Sequence, residues 1–253
     1  MVKKAKIKAC PERSRRVDPV KNSGRGNVKK PVKVSNKVDK AQAAERVGKI
    51  LPVLKELYPG AKTALRFVNP LELLIATILS AQCTDARVNM VTKEVFKKYK
   101  SAGDWAKADL KEIEPDIKST GFYRNKAISI KGVCTEVIKR FGGRVPDTME
   151  ELVQLPGVGR KTANVVLGNA FGVPAIACDT HVIRLCRRLR LSDKTDAVKL
   201  EFDLAEIVPK KDWTLFSHLL IFHGRNVCKA RNPDCENCQI AKFCPAASNP
   251  ALW

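Results

Sequence analysis

Four cysteines near the C-terminus do most to limit what this chain can become. Cys228, Cys235, Cys238 and Cys244 follow the spacing Cys-x6-Cys-x2-Cys-x5-Cys, so four thiols fall within 17 residues. Four thiolates on so short a segment can enclose one metal centre. A structural zinc and a [4Fe–4S] cluster both take four cysteine ligands, and general chemistry leaves the two open. The chain has nine cysteines, an odd number, which argues against a secreted disulfide framework. In a reducing compartment clustered cysteines more often bind metal. Between the first two runs Lys229-Ala230-Arg231-Asn232-Pro233-Asp234. That loop, tied at both ends, would present Lys229 and Arg231 rigidly, which suits phosphate contact.

Charge points to the partner. The net charge is +21 over 253 residues. Such an excess implies a polyanion, since each Lys or Arg near a phosphate displaces a condensed counterion. Nucleic acid comes first and an anionic membrane surface second. Residues 1–40 hold 14 Lys and Arg against Glu12, Asp18 and Asp39, a net of +11, so +10 remains on 41–253. Residues 1–40 show no helical period and read as a disordered basic arm. No apolar run reaches the roughly 18 residues of a membrane span, and the N-terminus lacks a signal-peptide core. The expectation is a soluble protein of the cytoplasm or nucleoid (the nucleus in a eukaryote), without a membrane partner.

From residue 41 the pattern is helical, and the predicted class is all-α. Asn69-Pro70-Leu71-Glu72 offers a cap, a proline at the first helical position and an acid in the first turn. Asp85 is expected to cap the next helix, and Asp147 with Glu150 resembles a capping box. Ala127, Ile130, Val133, Val137 and Ile138 recur at helical spacing. Further helices fit 161–170, 180–190, 195–208 and 212–223.

Leu155-Pro156-Gly157-Val158-Gly159 joins two helical stretches. Gly157 and Gly159 permit a tight turn and close approach of backbone to a ligand. The helix from Arg160 would aim unpaired N–H groups at a phosphate. This is the pattern of a helix-hairpin-helix, which grips the DNA backbone without reading sequence. A plain helix–helix connection is the alternative.

Taken together, three features resemble the endonuclease III family of helix-hairpin-helix DNA glycosylases. They are Leu-Pro-Gly-Val-Gly-Arg-Lys-Thr-Ala-Asn at 155–164, Asp179-Thr180-His181, and the cysteine spacing. Ser80-Ala81-Gln82-Cys83-Thr84-Asp85 matches a further family motif, and the likeness spans 41–253. It favours a [4Fe–4S] cluster over zinc. It implies two lobes: a six-helix barrel at 63–173, and a cluster lobe from 41–62 and 174–253, with DNA across the cleft. It also implies removal of oxidised pyrimidines, of the thymine glycol type, from damaged double-stranded DNA, followed by strand cleavage. A monomer is expected. The alternatives are a monofunctional glycosylase, whose members usually lack Lys at position 161, and a non-catalytic binder of damaged DNA.

The resemblance assigns roles residue by residue. Lys161 would be the nucleophile, although binding-only hairpins also place Lys or Arg there to touch phosphate. A free lysine is almost wholly protonated near pH 7; partial burial and cationic neighbours such as Arg160 are expected to favour the neutral amine. Asp179 would be the catalytic carboxylate, and its plainer role is an N-cap. Gln82 would fill the gap left by a flipped nucleotide. Phe122 stands where the family usually has Leu or Ile to wedge the opposite strand; simple core packing is its alternative. Arg124, Lys126 and Arg160 are expected at phosphates. Cys83 and Cys178 replace small apolar residues and are read as structural.

Overall fold

The computed structural model describes residues 37–252, and every regular element among them is a helix. The basic arm lies outside the described residues except for 37–40. There Asp39 already accepts the Gln42 N–H and caps α1 (Lys40–Leu57).

Local chemistry explains where each helix begins. For α2 (Pro70–Leu79), the Asn69 side chain accepts the Glu72 N–H, with proline at the first helical position as expected. Leu73, Leu74, Ile75, Ala76, Ile78 and Leu79 are all buried, so this helix is central. The cap of α3 (Asp85–Lys98) is Thr84 rather than Asp85. Asp85 instead takes an ion pair from Arg225 at 2.8 Å. Two short helices, α4 (Ala102–Lys107) and α5 (Leu110–Ile117), precede the long α6 (Tyr123–Phe141). A second cap also shifts by one residue: Thr148, not Asp147, opens α7 (Met149–Leu152). The Thr148 hydroxyl accepts the Glu151 N–H and donates to the Glu151 carboxylate. An ionised aspartate accepts only and cannot make that exchange.

The hairpin leads into α8 (Arg160–Val166), which continues as a π-helical turn at Leu167–Phe171. Then come α9 (Thr180–Arg188), α10 (Ala197–Ile207), α11 (Trp213–Asn226) and the short α12 (Pro245–Ser248). Two hydrophobic cores result. One joins α2 to α8 through residues such as Leu79, Ile113, Ile130, Leu155 and Val166. The other packs α1 against α9, α10 and α11 through Ile50, Leu54, Leu185, Leu200 and Phe216. Each such fully buried side chain contributes about 1.5–3 kcal/mol.

The chain crosses from the first core to the second between Ala175 and Ile176. Side chains from both sides fix this extended crossing. Asn164 donates to the Ile176 carbonyl at 2.9 Å, and the Ala177 N–H donates to the Ser217 hydroxyl at 3.1 Å. The crossing therefore holds α8 and Asp179 on opposite sides of one seam.

Candidate active site

A cleft of about 280 Å³ opens along that seam, and Lys161, Asp179, Gln82 and Asp85 all line it. The hairpin sets Lys161 in place. Leu155 and Val158 are buried and anchor the turn. Gly157 has φ +74°, and a Cβ there would come within 2.7 Å of the Ser129 hydroxyl, so only glycine fits. Gly159 differs: its φ of −86° suits any residue, and a Cβ would meet open space. Its lack of a side chain leaves the start of α8 open to a ligand. No side chain caps α8.

Lys161 itself is exposed on the second position of α8. Arg160 departs from expectation. Its guanidinium is held by Glu201 at 2.7–3.0 Å and lies over the Phe202 ring. It is thus neither aimed at phosphate nor an unpaired cationic neighbour of Lys161. Lys161 is thus exposed where partial burial was expected, and Arg160, the cationic neighbour expected beside it, is engaged by Glu201.

Asp179 is the N-cap of α9, accepting the Val182 N–H at 2.9 Å. The cap orients one carboxylate oxygen and fixes the side chain beside the cleft. Cys178, next to it, is buried, and desolvation pushes its thiol up to about 12. It packs as a small apolar group, as read from the sequence, and so does half-buried Cys83 against the first core.

Three cleft residues had no signal in the sequence. Arg225 of α11 reaches Asp85 of α3, so one ion pair bridges the two cores at the cleft. His218 lies in the wall with its Nε2 at 2.8 Å from Asn169 Oδ1. The Asn169 amide in turn donates to the Val165 carbonyl, which fixes its orientation, so His218 Nε2 is the protonated nitrogen. Burial lowers the His218 pKa, against a smaller opposite effect of Asp179. The π-helical turn carries Asn169 to this position, a common use of such turns. His181 Nδ1 lies 3.1 Å from the Arg184 guanidinium.

Gln82 and Phe122 project from two loops beside the cleft. Both hold left-handed backbone, with φ of +52° and +49°. Phe122 is 64% exposed, which rules out the core-packing alternative. A second, open cavity lies between them, with Lys126, Ser129 and Gly157 among its lining. Arg124 is exposed beside Tyr123. Lys126 corrects the sequence reading. Its ammonium is buried and donates to the main-chain oxygens of Leu79 and Thr120, at 2.8 and 2.9 Å, so it faces no phosphate.

The four C-terminal cysteines ring a small cavity with Arg188 and His223 on its wall. All four thus face one shared space, as ligands of a single centre must. Burial pushes the Cys238 thiol up to about 11 and raises those of Cys235 and Cys244. Thiolates there need compensating positive charge, which iron provides. Donors already face them: the Ile240 N–H toward Cys238, and the Ala246 and Ala247 N–H groups toward Cys244. Arg188 donates to Cys228 Sγ at 3.2 Å, while its buried Nε has no partner. An orphaned donor beside the ring is what a cluster's sulfur would satisfy.

The same arginine fixes the loop between the first two cysteines by donating to the Lys229 and Ala230 carbonyls. Arg184, one turn earlier, donates to the Cys228 carbonyl. Lys229 and Arg231 are left exposed. In the sequence, Arg184 and Arg188 look like the solvent face of an amphipathic helix. Nothing there shows that this face meets the cysteine loop.

Comparison with known proteins agrees with this geometry. The HhH-GPD superfamily base excision DNA repair protein family matches residues 75–210. The iron-sulfur binding domain of endonuclease III matches 228–244. Endonuclease III of Synechocystis sp. is 52% identical over 208 residues, covering 82% of this chain and 95% of the relative. A non-covalent endonuclease III–DNA complex superposes with a TM-score of 0.78 at 44% identity, covering 83% of this chain and 99% of the other. A trapped endonuclease III–DNA covalent intermediate gives 0.78 and 44%, covering 82% and 98%. The hairpin, the seam and the cysteine ring thus have one reading: the chain belongs to the endonuclease III family of base excision DNA glycosylases, whose [4Fe–4S] cluster it carries.

Proposed function

We propose that the chain is a bifunctional DNA glycosylase and AP lyase acting on oxidised pyrimidines, of the thymine glycol type, in double-stranded DNA. One observation carries this reading: Lys161 and Asp179, from opposite sides of the seam, face the same cleft. The relative trapped as a covalent DNA intermediate supports it. The Lys161 amine attacks C1′ of the extruded nucleotide. The C1′–N bond breaks, and the base leaves with a proton. Asp179 stabilises the cationic sugar that develops and moves protons as the ring opens to a Schiff base. Loss of a C2′ proton then breaks the C3′–O bond, cutting the strand 3′ to the lesion. DNA closing over the exposed Lys161 supplies the desolvation that the neutral amine needs.

A base within the duplex is out of reach, so the nucleotide leaves the stack. Gln82 and Phe122, exposed on the rim, occupy the gap and the opposite strand. An aromatic wedge adds stacking that Leu or Ile lacks. The open start of α8, with Gly157 and Gly159, holds the backbone, and Arg124, Lys229 and Arg231 meet phosphates. Cys228, Cys235, Cys238 and Cys244 would hold the [4Fe–4S] cluster, whose chemistry here is to clip the Lys229–Asp234 loop in shape.

A duplex with one thymine glycol, incubated with the protein and resolved without alkali, tests the reading. The expected product is a strand cut 3′ to the lesion, still bearing a sugar remnant. Base release with cleavage only after alkali would instead indicate a monofunctional glycosylase.

A further inference from the structure

Lys126 is a buried cation that the chemistry above leaves unused. It projects inward from α6 and is 5% exposed. Removing an ammonium from water is unfavourable unless its donors are taken up. Here two are, by main-chain carbonyls from separate parts of the chain: Leu79 at 2.8 Å and Thr120 at 2.9 Å. Leu79 ends α2 just before the loop carrying Gln82. Thr120 stands two residues before Phe122. Gln82 and Phe122 are both exposed, and both hold positive φ. Residues other than glycine keep that conformation only where their surroundings impose it. Lys126 also lines the cavity that separates these two side chains.

We propose that Lys126 is a positioning residue. Its ammonium staples the Gln82 loop to the Phe122 loop, so that both side chains enter the DNA stack as one unit when a nucleotide is extruded. This deepens the proposed function and rests on its base-extrusion step. The methyl-terminated side chain of methionine, one atom shorter, would fill most of the same space, yet leave both carbonyls unpaired and the loops free to move separately. The positive charge matters as a two-way donor between loops and makes no contact with phosphate.

The test compares wild type, Lys126→Met and Lys126→Gln, with 2-aminopurine placed beside a thymine glycol to report unstacking. Single-turnover excision is followed in parallel, on the paired lesion and on one in a mismatch. Lys126→Met should slow both the fluorescence rise and excision ~10-fold on the paired lesion. The deficit should shrink at the mismatch, where extrusion costs less. Lys126→Gln keeps an N–H donor and should fall between. If Lys126→Met does not fold, as circular dichroism would reveal, Lys126→Gln carries the comparison alone. A deficit equal on both substrates would reduce Lys126 to general stability and overturn the staple, as would no deficit at all. If wild type itself gives no fluorescence rise, the extrusion step fails and the staple falls with it. The staple alone fails when wild type gives the rise and the variants match it.

Discussion

Replacing Asp179 separates the helix cap seen in the structure from the catalytic role proposed for the same carboxylate. Its Oδ1 accepts the Val182 N–H at 2.9 Å and starts α9. The amide oxygen of Asp179→Asn can accept the same bond, and Asn caps about as well as Asp. Asn lacks the charge that favours a helix N-terminus, a loss of about 0.3–1 kcal/mol. Asp179→Ala removes the cap as well, costing roughly 1 kcal/mol more. For a chain of this size each kcal/mol lowers Tm by about 2–4 °C. Asn should therefore lower Tm by at most ~4 °C, and Ala by roughly 2–4 °C more. Catalysis follows another order. Neither variant offers a carboxylate to a developing cationic sugar, so both should lose roughly 10²–10⁴ in single-turnover excision. Differential scanning fluorimetry and single-turnover gels on the same preparations give both numbers. If Asp179→Asn excises within about threefold of wild type while Asp179→Ala fails, Asp179 is only a cap, and its assignment to chemistry is wrong.

The two hairpin glycines should behave differently. Gly157→Ala forces a Cβ into Ser129 at positive φ, and should destabilise the fold by about 1–3 kcal/mol in thermal denaturation. Gly159→Ala meets open space; it should leave Tm nearly unchanged while weakening DNA binding, measured by fluorescence anisotropy. His218 makes stability depend on pH. Its folded-state pKa lies below the unfolded value of about 6.5, chiefly through burial, so its contribution is full above that value and is lost as pH falls below it. Wild type should then lose more Tm than His218→Gln between about pH 7.5 and 5.5. Iron and acid-labile sulfide should each approach about four per chain. Stripping the iron should release the loop held by Arg188 and weaken DNA binding. Stoichiometric zinc without iron in anaerobic protein would contradict the cluster.

Much of this molecule was legible in its sequence, for physical reasons that differ by region. The helices with strong periodicity, such as α2 and α6, follow from their apolar spacing. Asn69 and Pro70 mark a start that no tertiary contact overrides. The short α4 was missed because six residues, under two turns, leave too few apolar positions to show a period; α5 does carry Leu110, Ile113 and Ile117 at helical spacing, but over only eight residues. Thr84 and Thr148 displaced the adjacent aspartates as caps. At Thr148 the hydroxyl both accepts and donates; at Thr84 the neighbouring Asp85 is drawn to Arg225. The site was legible where its residues are close in sequence, as in the cysteines and the hairpin. It was opaque where distant segments meet. Arg160 was read as a phosphate ligand because Glu201, its partner, lies 41 residues away. Lys126 looked like a surface cation, since the carbonyls that hold it carry no signature of their own.

Borohydride trapping reaches the central claim most directly. Protein is mixed with abasic or thymine-glycol duplex DNA, reduced, and run on a denaturing gel. Wild type should give a covalent protein–DNA adduct, and Lys161→Ala should give none while keeping its fold. Absence of the adduct from the intact protein, or its survival in Lys161→Ala, would remove Lys161 as the nucleophile.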